Sequence, residues 1–202
     1  MAAARFVRLG IEGFKSFAEP GTVEILPGLT PFSRITGGPD GPHDEELVVG
    51  VGLQRPESRG LLTLDSGEPT RQPRLDYRYL TSAADRGGLR EGVRLTVELL
   101  HTRALAAVVG SRPDLPDGLL ADDSALDGWI RAHLTTAIHL SGTAHMGPDS
   151  DAGAVVDQEL RVRGIAGLRV VDTSVLPGVT SRGPAATAVM LGERAAELML
   201  AG

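Results

Sequence analysis

Histidine is the side chain in this sequence best suited to moving protons near neutral pH. Three of the five histidines, His133, His139 and His145, recur at intervals of six residues. This spacing puts them on different faces of a helix, and neither a His-Glu-x-x-His motif nor carboxylates at ligand spacing accompany them, so the sequence predicts no metal site. His139 opens the small-residue segment "HLSGTAHMG", where the backbone can approach a ligand closely. We therefore take His139 as a candidate general base, with an ordinary loop histidine as the alternative.

The C-terminal end joins an apolar run to a helical pattern. The run "LRVVDTSVLP" is typical of a buried strand and ends in Asp172, Thr173 and Ser174. Small and apolar residues then share one face of a helix predicted from Pro184 to Ala201. The first N–H groups of such a helix are free to meet an anion, so the segment predicts a ligand-facing corner of an α/β sheet. A strand and helix that bind no ligand are the alternative.

Signals for a phosphate-binding loop are incomplete. Gly50 and Gly52 in "GVGLQR" follow an apolar run, but the third glycine of a dinucleotide fingerprint is missing and Pro56 opens no helix. The single lysine, Lys15, lies in "GFKSF", which is not a Walker A loop. The sequence predicts neither dinucleotide binding at this position nor nucleotide hydrolysis.

The elements that must position these residues are short strands followed by helices. Strands are predicted in "RFVRLGIEGF", "GTVEILPG", "EELVVGVGLQ", "RGLLTL" and "PRLDYRYL", with the strand-like runs "AVVD" and "ELRVRG" further on. A loop is predicted over residues 31–44, which are rich in glycine and proline. Apolar spacing predicts a helix from Asp85 to Thr102 with Asp85 as its N-cap. A second helix is predicted from Asp123 to Thr135, around the only tryptophan.

Composition narrows the function classes. The 202 residues carry 20 basic and 26 acidic side chains, a net charge of −6, which argues against a nucleic-acid surface. The absence of cysteine excludes disulfides and thiolate chemistry. No apolar run reaches the ~18–20 residues of a membrane span, and we expect a cytoplasmic protein. All four phenylalanines and the only lysine fall in the first 32 residues, which suits an N-terminal segment of different origin, with a chance distribution in a small sample as the alternative.

Three motifs in order resemble the C-terminal signature of the glucose–methanol–choline (GMC) oxidoreductases: "HLSGTAHMG", "AVVDQELRVRGIAGLRVVDTSVLP" and "GPAATAVMLGERAAELM". Upstream, "RPESRGLLTLDSGEPTRQPRLDYRYL" and "DRGGLREGVRL" resemble the substrate-domain sheet and helix of that family. The resemblance runs from Asp44 to Ala201, and the first and third motifs are most similar to the mycofactocin-associated branch. It implies an α+β fold: an antiparallel substrate-domain sheet with flanking helices, plus the terminal strand and helix of an incomplete FAD-binding α/β domain.

The resemblance also implies chemistry. FAD would be the cofactor and a small alcohol the substrate, with hydride passing from the CH–OH carbon to the flavin while His139 takes the hydroxyl proton. The family usually adds a second His or Asn where this sequence has Arg182 and Gly183, and the sequence contains no asparagine, so that second partner is left unassigned. Four positions match residues beside the flavin: Ile138, Asp172, Gly183 and Pro184.

The N-terminal segment is similar to a different family. Residues 5–30 resemble the first strands of SMC chromosome-partition ATPases, but no Walker A loop follows them. We therefore expect an SMC-like strand pair at 1–30, a junction at 31–43, a GMC substrate-binding region at 44–150 and a region completing the FAD domain at 151–202. Because the family's G-x-G-x-x-G segment is missing, we expect a truncated enzyme with exposed apolar surface, the rest of its FAD domain supplied by another chain. A catalytically inactive remnant, or a structural or binding module, is the alternative.

Overall fold

The computed structural model describes residues 23–28, 48–106 and 115–201. Their helices and antiparallel strands agree with the predicted mixture of the two element types. The elements in chain order are the strands β1 (Val23–Gly28), β2 (Val48–Leu53), β3 (Leu61–Thr63) and β4 (Arg74–Asp76), the α-helices α1 (Ala83–Leu100), α2 (Arg103–Ala106), α3 (Asp123–His133) and α4 (Ala185–Leu200), and 3-10 helices at Leu119–Ala121 and Thr173–Val175.

The described strands pair antiparallel, as predicted, but they form two separate two-stranded sheets instead of one. In the first sheet Val23 of β1 stands opposite Leu53 of β2, and in the second Leu61 of β3 stands opposite Asp76 of β4. Between the two sheets the chain runs as a loop through Pro56, which has no N–H to donate to a ladder, and β3 then pairs with β4. The strand predicted in "RFVRLGIEGF" and the junction at 31–43 lie outside the described residues.

Helix α1 begins at a different residue from the one predicted. Its N-cap is Ser82, whose hydroxyl accepts the N–H of Ala84 at 3.1 Å. Asp85 is instead buried inside the first turn and accepts the N–H groups of Glu57 and Ser58, both at 2.8 Å. The Asp85 carboxylate therefore ties the loop after β2 to the start of α1, a contact that local sequence does not reveal.

The first apolar cluster lies between the helices and the β1–β2 sheet. Arg90 and Arg94 of α1 pair with Asp127 and Asp123 of α3, at 2.9 Å and 2.6 Å. These pairs border the apolar contact and fix how the two helices align. The buried members of the first cluster are Leu80, Leu89, Leu119, Leu126 and Ile130, with Val51, Leu53, Val93 and Trp129 packed against them.

The second apolar cluster packs α4 on irregular backbone. The prediction of a strand over "LRVVDTSVLP" is wrong. In this stretch Arg169 makes an isolated bridge to Arg161, and Thr173–Val175 form a 3-10 helix. The reason is that its backbone bonds turn back locally, with the N–H of Val170 donating to the carbonyl of Leu160 at 3.1 Å. The runs "AVVD" and "ELRVRG" likewise form bridges and not strands. The buried members of the second cluster are Val156, Leu160, Val175, Leu191 and Ala195.

Candidate active site

His139 lies against the backbone that leads into α4. A Cβ atom placed on Gly183 would lie 3.5 Å from Cε1 and 3.6 Å from Nε2 of His139, which is ordinary van der Waals contact. The edge of the imidazole that carries Nε2 therefore faces Gly183. Two positions that the sequence singles out, far apart in the chain, meet at this point.

The residue before His139 has an unusual backbone. Ile138 adopts φ +57°, in the left-handed region, although its β-branched side chain disfavours that conformation. Its N–H donates to the hydroxyl of Thr136 at 3.0 Å. A strained residue of this kind next to a candidate base is a feature that functional sites often share.

The residues after His139 run beside the 3-10 helix at Thr173–Val175. The hydroxyl of Thr173 donates to the carbonyl of Leu140 at 2.9 Å. Further along, the N–H of Ala144 donates to the carbonyl of Ser174 at 3.0 Å, and the N–H of Met146 donates to that of Val175 at 2.8 Å. The "HLSGTAHMG" segment is thus attached to the second cluster by a row of hydrogen bonds.

The remaining candidate positions lie around the start of α4. Asp172 caps the 3-10 helix by accepting the N–H of Ser174 at 2.8 Å, so its carboxylate has a local structural partner. Pro184 is the N-cap of α4, as its fixed φ favours, and no side chain caps that end. The first N–H groups of α4 therefore remain suited to an electron-rich group. Arg182 is exposed, and its carbonyl accepts the hydroxyl of Thr180 at 2.5 Å.

The three histidines at six-residue intervals have three different surroundings. His133 stacks on Trp129, with ring centroids 4.3 Å apart, and His145 pairs with Asp151 at 3.2 Å. Within residues 48–106 and 115–201, no group of three or more His, Asp or Glu side chains is arranged to hold a metal ion. Of the three, His139 is the one that meets the start of α4.

The pair of His145 and Asp151 is a feature that sequence reasoning missed. The N–H of Gly153 donates to Asp151 at 2.9 Å; this bond, followed by the His145 contact, lowers the pKa of the Asp151 carboxyl. A Cβ on Gly147 would fall 2.8 Å from Asp151 Oδ2 and 2.9 Å from Ala154 Cβ, so a side chain there would force this loop to shift. The glycines at 147 and 153 on either side of the aspartate were the available signal for this turn.

The family model for GMC oxidoreductases matches residues 56–192 of this chain. The chain belongs to the GMC oxidoreductase family. It is 40% identical to an uncharacterized GMC-type oxidoreductase of Rhodococcus erythropolis over 179 residues, covering 88% of this chain and 34% of the relative. It is 39% identical to an oxygen-dependent choline dehydrogenase of Vibrio vulnificus over 153 residues, covering 75% of this chain and 27% of the relative. Among solved structures it resembles a fungal aryl-alcohol oxidase, with TM-score 0.68 and 33% identity over 80% of this chain and 26% of that one.

Two facts qualify this membership. The chain spans about a third or less of the length of the curated relatives it matches. The similarities show the GMC family, and the SMC-like segment, the junction and the mycofactocin branch stay predictions.

GMC oxidoreductases are FAD-dependent, and the described residues fit one end of that cofactor. The uncapped start of α4 suits the electron-rich end of a flavin ring, and the exposed side chains of Ile138 and Leu140 offer apolar surface beside His139. The hydroxyl oxygen of Ser141, two residues after His139, is buried and has no hydrogen-bond partner among the described residues. Gly50, by contrast, lies inside β2 opposite Leu26, so it forms no strand–turn–helix for a diphosphate. The fit is to the ring end of FAD alone.

In the described part of the chain, no helix combines the length and the apolar character needed to cross a bilayer.

Proposed function

We propose that this chain is the C-terminal part of an FAD-dependent oxidoreductase that acts on CH–OH donors, with His139 as the general base. The observation that carries the proposal is the contact of the His139 imidazole with Gly183 at the uncapped start of α4. It puts a proton acceptor beside the part of the chain that fits a flavin ring. The choline dehydrogenase and aryl-alcohol oxidase among the similar proteins, named for alcohol substrates, support the same reaction class.

The proposal gives each step of alcohol oxidation to a named group. A flavin bound at this end of the chain would supply the acceptor for the hydride that leaves the carbinol carbon. His139 accepts the hydroxyl proton, so that the alcohol loses a hydride and a proton and becomes the carbonyl product. Gly183 and Pro184 at the start of α4 would hold the electron-rich end of the ring, with Ile138 and Asp172 as the further flavin-binding residues of this proposal.

The second active-site position has no proton-handling side chain in this proposal. Gly183 supplies only backbone beside the imidazole, and a guanidinium such as that of the neighbouring Arg182 donates hydrogen bonds and has no acceptor for a proton. Proton transfer therefore rests on His139, which makes the effect of removing it large.

We further propose that another polypeptide supplies the rest of the flavin site. The chain matches about a third or less of its relatives, and α4 exposes Val189, Met190 and Leu200 at 68%, 54% and 90%. Exposed apolar side chains on one helix favour a covering partner. The polypeptide to use first is the part of the Rhodococcus relative that this chain does not match.

The test compares two histidine variants in that reconstituted complex. Purified chain and partner polypeptide are mixed with FAD, and an alcohol such as choline or benzyl alcohol is added without oxygen while flavin absorbance is followed. His139→Ala should slow flavin reduction by roughly 10²–10⁴-fold, the usual contribution of a general base, and leave bound flavin unchanged. His145→Ala is the matched control and should reduce flavin at nearly the parental rate.

Two results would contradict the proposal. Equal reduction rates in His139→Ala and the parent would remove His139 from the reaction. Flavin that never binds, in the chain alone or in the complex, would favour the second candidate, a structural or binding module without catalysis. The observation favouring that candidate is Gly183, which leaves the site without a second side chain.

Finer assignments are also proposals. On "HLSGTAHMG" and "SRGPAATAVM" we place the chain in the mycofactocin-associated branch, with a cytoplasmic location. The domain bounds at 1–30, 31–43, 44–150 and 151–202 stay predictions. Flavin reduction by mycofactocin-linked alcohols in the reconstituted complex, compared with choline, tests the branch assignment.

A further inference from the structure

The backbone around His139 lacks the support that buried side chains usually give. Ile138 and Leu140, the neighbours of His139, expose 59% and 56% of their surface. Apolar burial therefore does not fix the orientation of this segment, and polar contacts must do so.

Thr173 provides a long-range polar contact to Leu140, the residue that follows His139. Its Oγ1 donates to the carbonyl of Leu140 at 2.9 Å, across 33 positions of the chain. Thr173 is itself firmly placed, because it opens the 3-10 helix that Asp172 caps and that Val175 anchors, fully buried, in the second cluster. The bond therefore links the segment that carries His139 to the packed part of the molecule.

The strain at Ile138 shows why such a link is needed. A β-branched residue at φ +57° returns to a relaxed conformation unless its surroundings hold it. The Thr136 hydroxyl holds its N–H on one side, and the Thr173 hydroxyl holds the peptide on the far side of His139. His139 lies between these two contacts.

We propose that Thr173 is a positioning residue for His139. Its hydroxyl holds the Leu140 carbonyl, and through it keeps Ile138 in the left-handed conformation and the imidazole against Gly183. The kinetic consequence rests on the proposed function, whereas the structural consequence does not.

The structural test uses the full chain without flavin. Because the Cβ direction of Gly183 points at Cε1 of His139, the Hε1 proton of His139 and an Hα proton of Gly183 should give a nuclear Overhauser cross-peak in a labelled sample. Thr173→Val keeps the side-chain shape and removes the donor, and it should reduce this cross-peak to about half or less as the ring samples other orientations. Thr173→Ser keeps the donor and should retain the parental cross-peak.

The control within each sample is the contact of His133 with Trp129, which lies in the first cluster and should not change. Where Thr173→Val does not fold, Thr173→Ala replaces it, since alanine removes the hydroxyl without leaving a methyl group against the carbonyl. A parental cross-peak in the folded variant that lacks the hydroxyl overturns the proposal.

The kinetic test uses the reconstituted complex. Thr173→Val should lower the rate of alcohol-dependent flavin reduction by about tenfold with flavin binding unchanged, and Thr173→Ser should restore it. A parental rate in Thr173→Val overturns the kinetic part of the proposal. A parent complex that reduces no flavin contradicts the proposed function instead, while the cross-peak still decides the positioning role.

Discussion

The two apolar clusters are built in different ways. The first lies between two regular helices and a paired strand, and both helices have side-chain caps, from Ser82 and Asp122. The second packs a single helix, α4, on bridges and a 3-10 turn, and α4 has no side-chain cap. Regular elements carry the scaffold, and the irregular backbone beside the second cluster carries the candidate chemistry.

The difference follows from what each kind of backbone can hold. A regular helix satisfies its N–H groups internally, so few of them face a ligand. The irregular region leaves helix ends, a strained residue and a buried hydroxyl available, which is the usual composition of binding sites. We expect substitutions in the first cluster to act on stability, and those around His139 to act on flavin chemistry.

The largest stability effect should come from Asp85→Ala. Asp85 is buried and accepts two backbone N–H groups and the Ser58 hydroxyl, so its removal leaves three part-buried donors without their acceptor. The free energy of unfolding should fall by about 3 kcal/mol, as measured by urea denaturation. Asp65→Ala, at an exposed position, is the control and should change it little. A parental unfolding midpoint in Asp85→Ala would mean that the loop after β2 does not depend on α1.

A smaller effect, on association, is expected from the exposed face of α4. Replacing Val189, Met190 and Leu200 by serine removes apolar side chains that solvent already reaches, so the fold should persist while self-association, or binding to the partner polypeptide, weakens by at least about tenfold. Sedimentation velocity over a concentration series measures this. Glu193→Gln, on the same helix, is the control. If the parent neither associates with itself nor binds the partner, the exposed apolar side chains of α4 are not a binding surface. The second region then does not differ from the first in needing a partner.

The smallest effect should be a pH dependence at Asp151. The Gly153 N–H and His145 hold the pKa of the Asp151 carboxyl below its usual range in the folded chain. This carboxylate therefore adds stability at pH values above the ordinary carboxyl pKa of about 4, and that contribution is lost as the pH falls through the lower, folded pKa. Unfolding curves of the parent and of Asp151→Asn should differ at neutral pH and converge in acid. A gap between the two curves that stays constant down to acid pH would remove Asp151 from this role.

Local patterns predicted the helices well. The bounds of α1, α3 and α4 differ by two residues or fewer from the sequence prediction, because each has a continuous apolar face. The N-cap of α1, however, is not the residue that the sequence predicts. Asp85 resembles an N-cap by type, but Ser82 takes that role and Asp85 is recruited by a loop that lies far from it in sequence.

The same reasoning failed in the second region. Residue types in "LRVVDTSVLP" favour a strand, yet its backbone partners lie nearby in the chain and turn it into bridges. Nothing in an isoleucine indicates a left-handed conformation, so the strain at Ile138 was not predictable. The motif resemblance, however, led to His139 and Gly183 as positions of interest, and the structure brings these two together.

Trp129 gives the contrast between the two clusters an optical readout. It is the only tryptophan of the chain, and it packs against the first cluster while stacking on His133. Its fluorescence therefore reports on the scaffold alone, whereas circular dichroism reports on helix α4 as well. A protein in which the emission change and the loss of helix occur at different urea concentrations has two clusters that melt independently, and coincident curves mean that the chemistry-bearing region and its scaffold unfold as one cooperative unit.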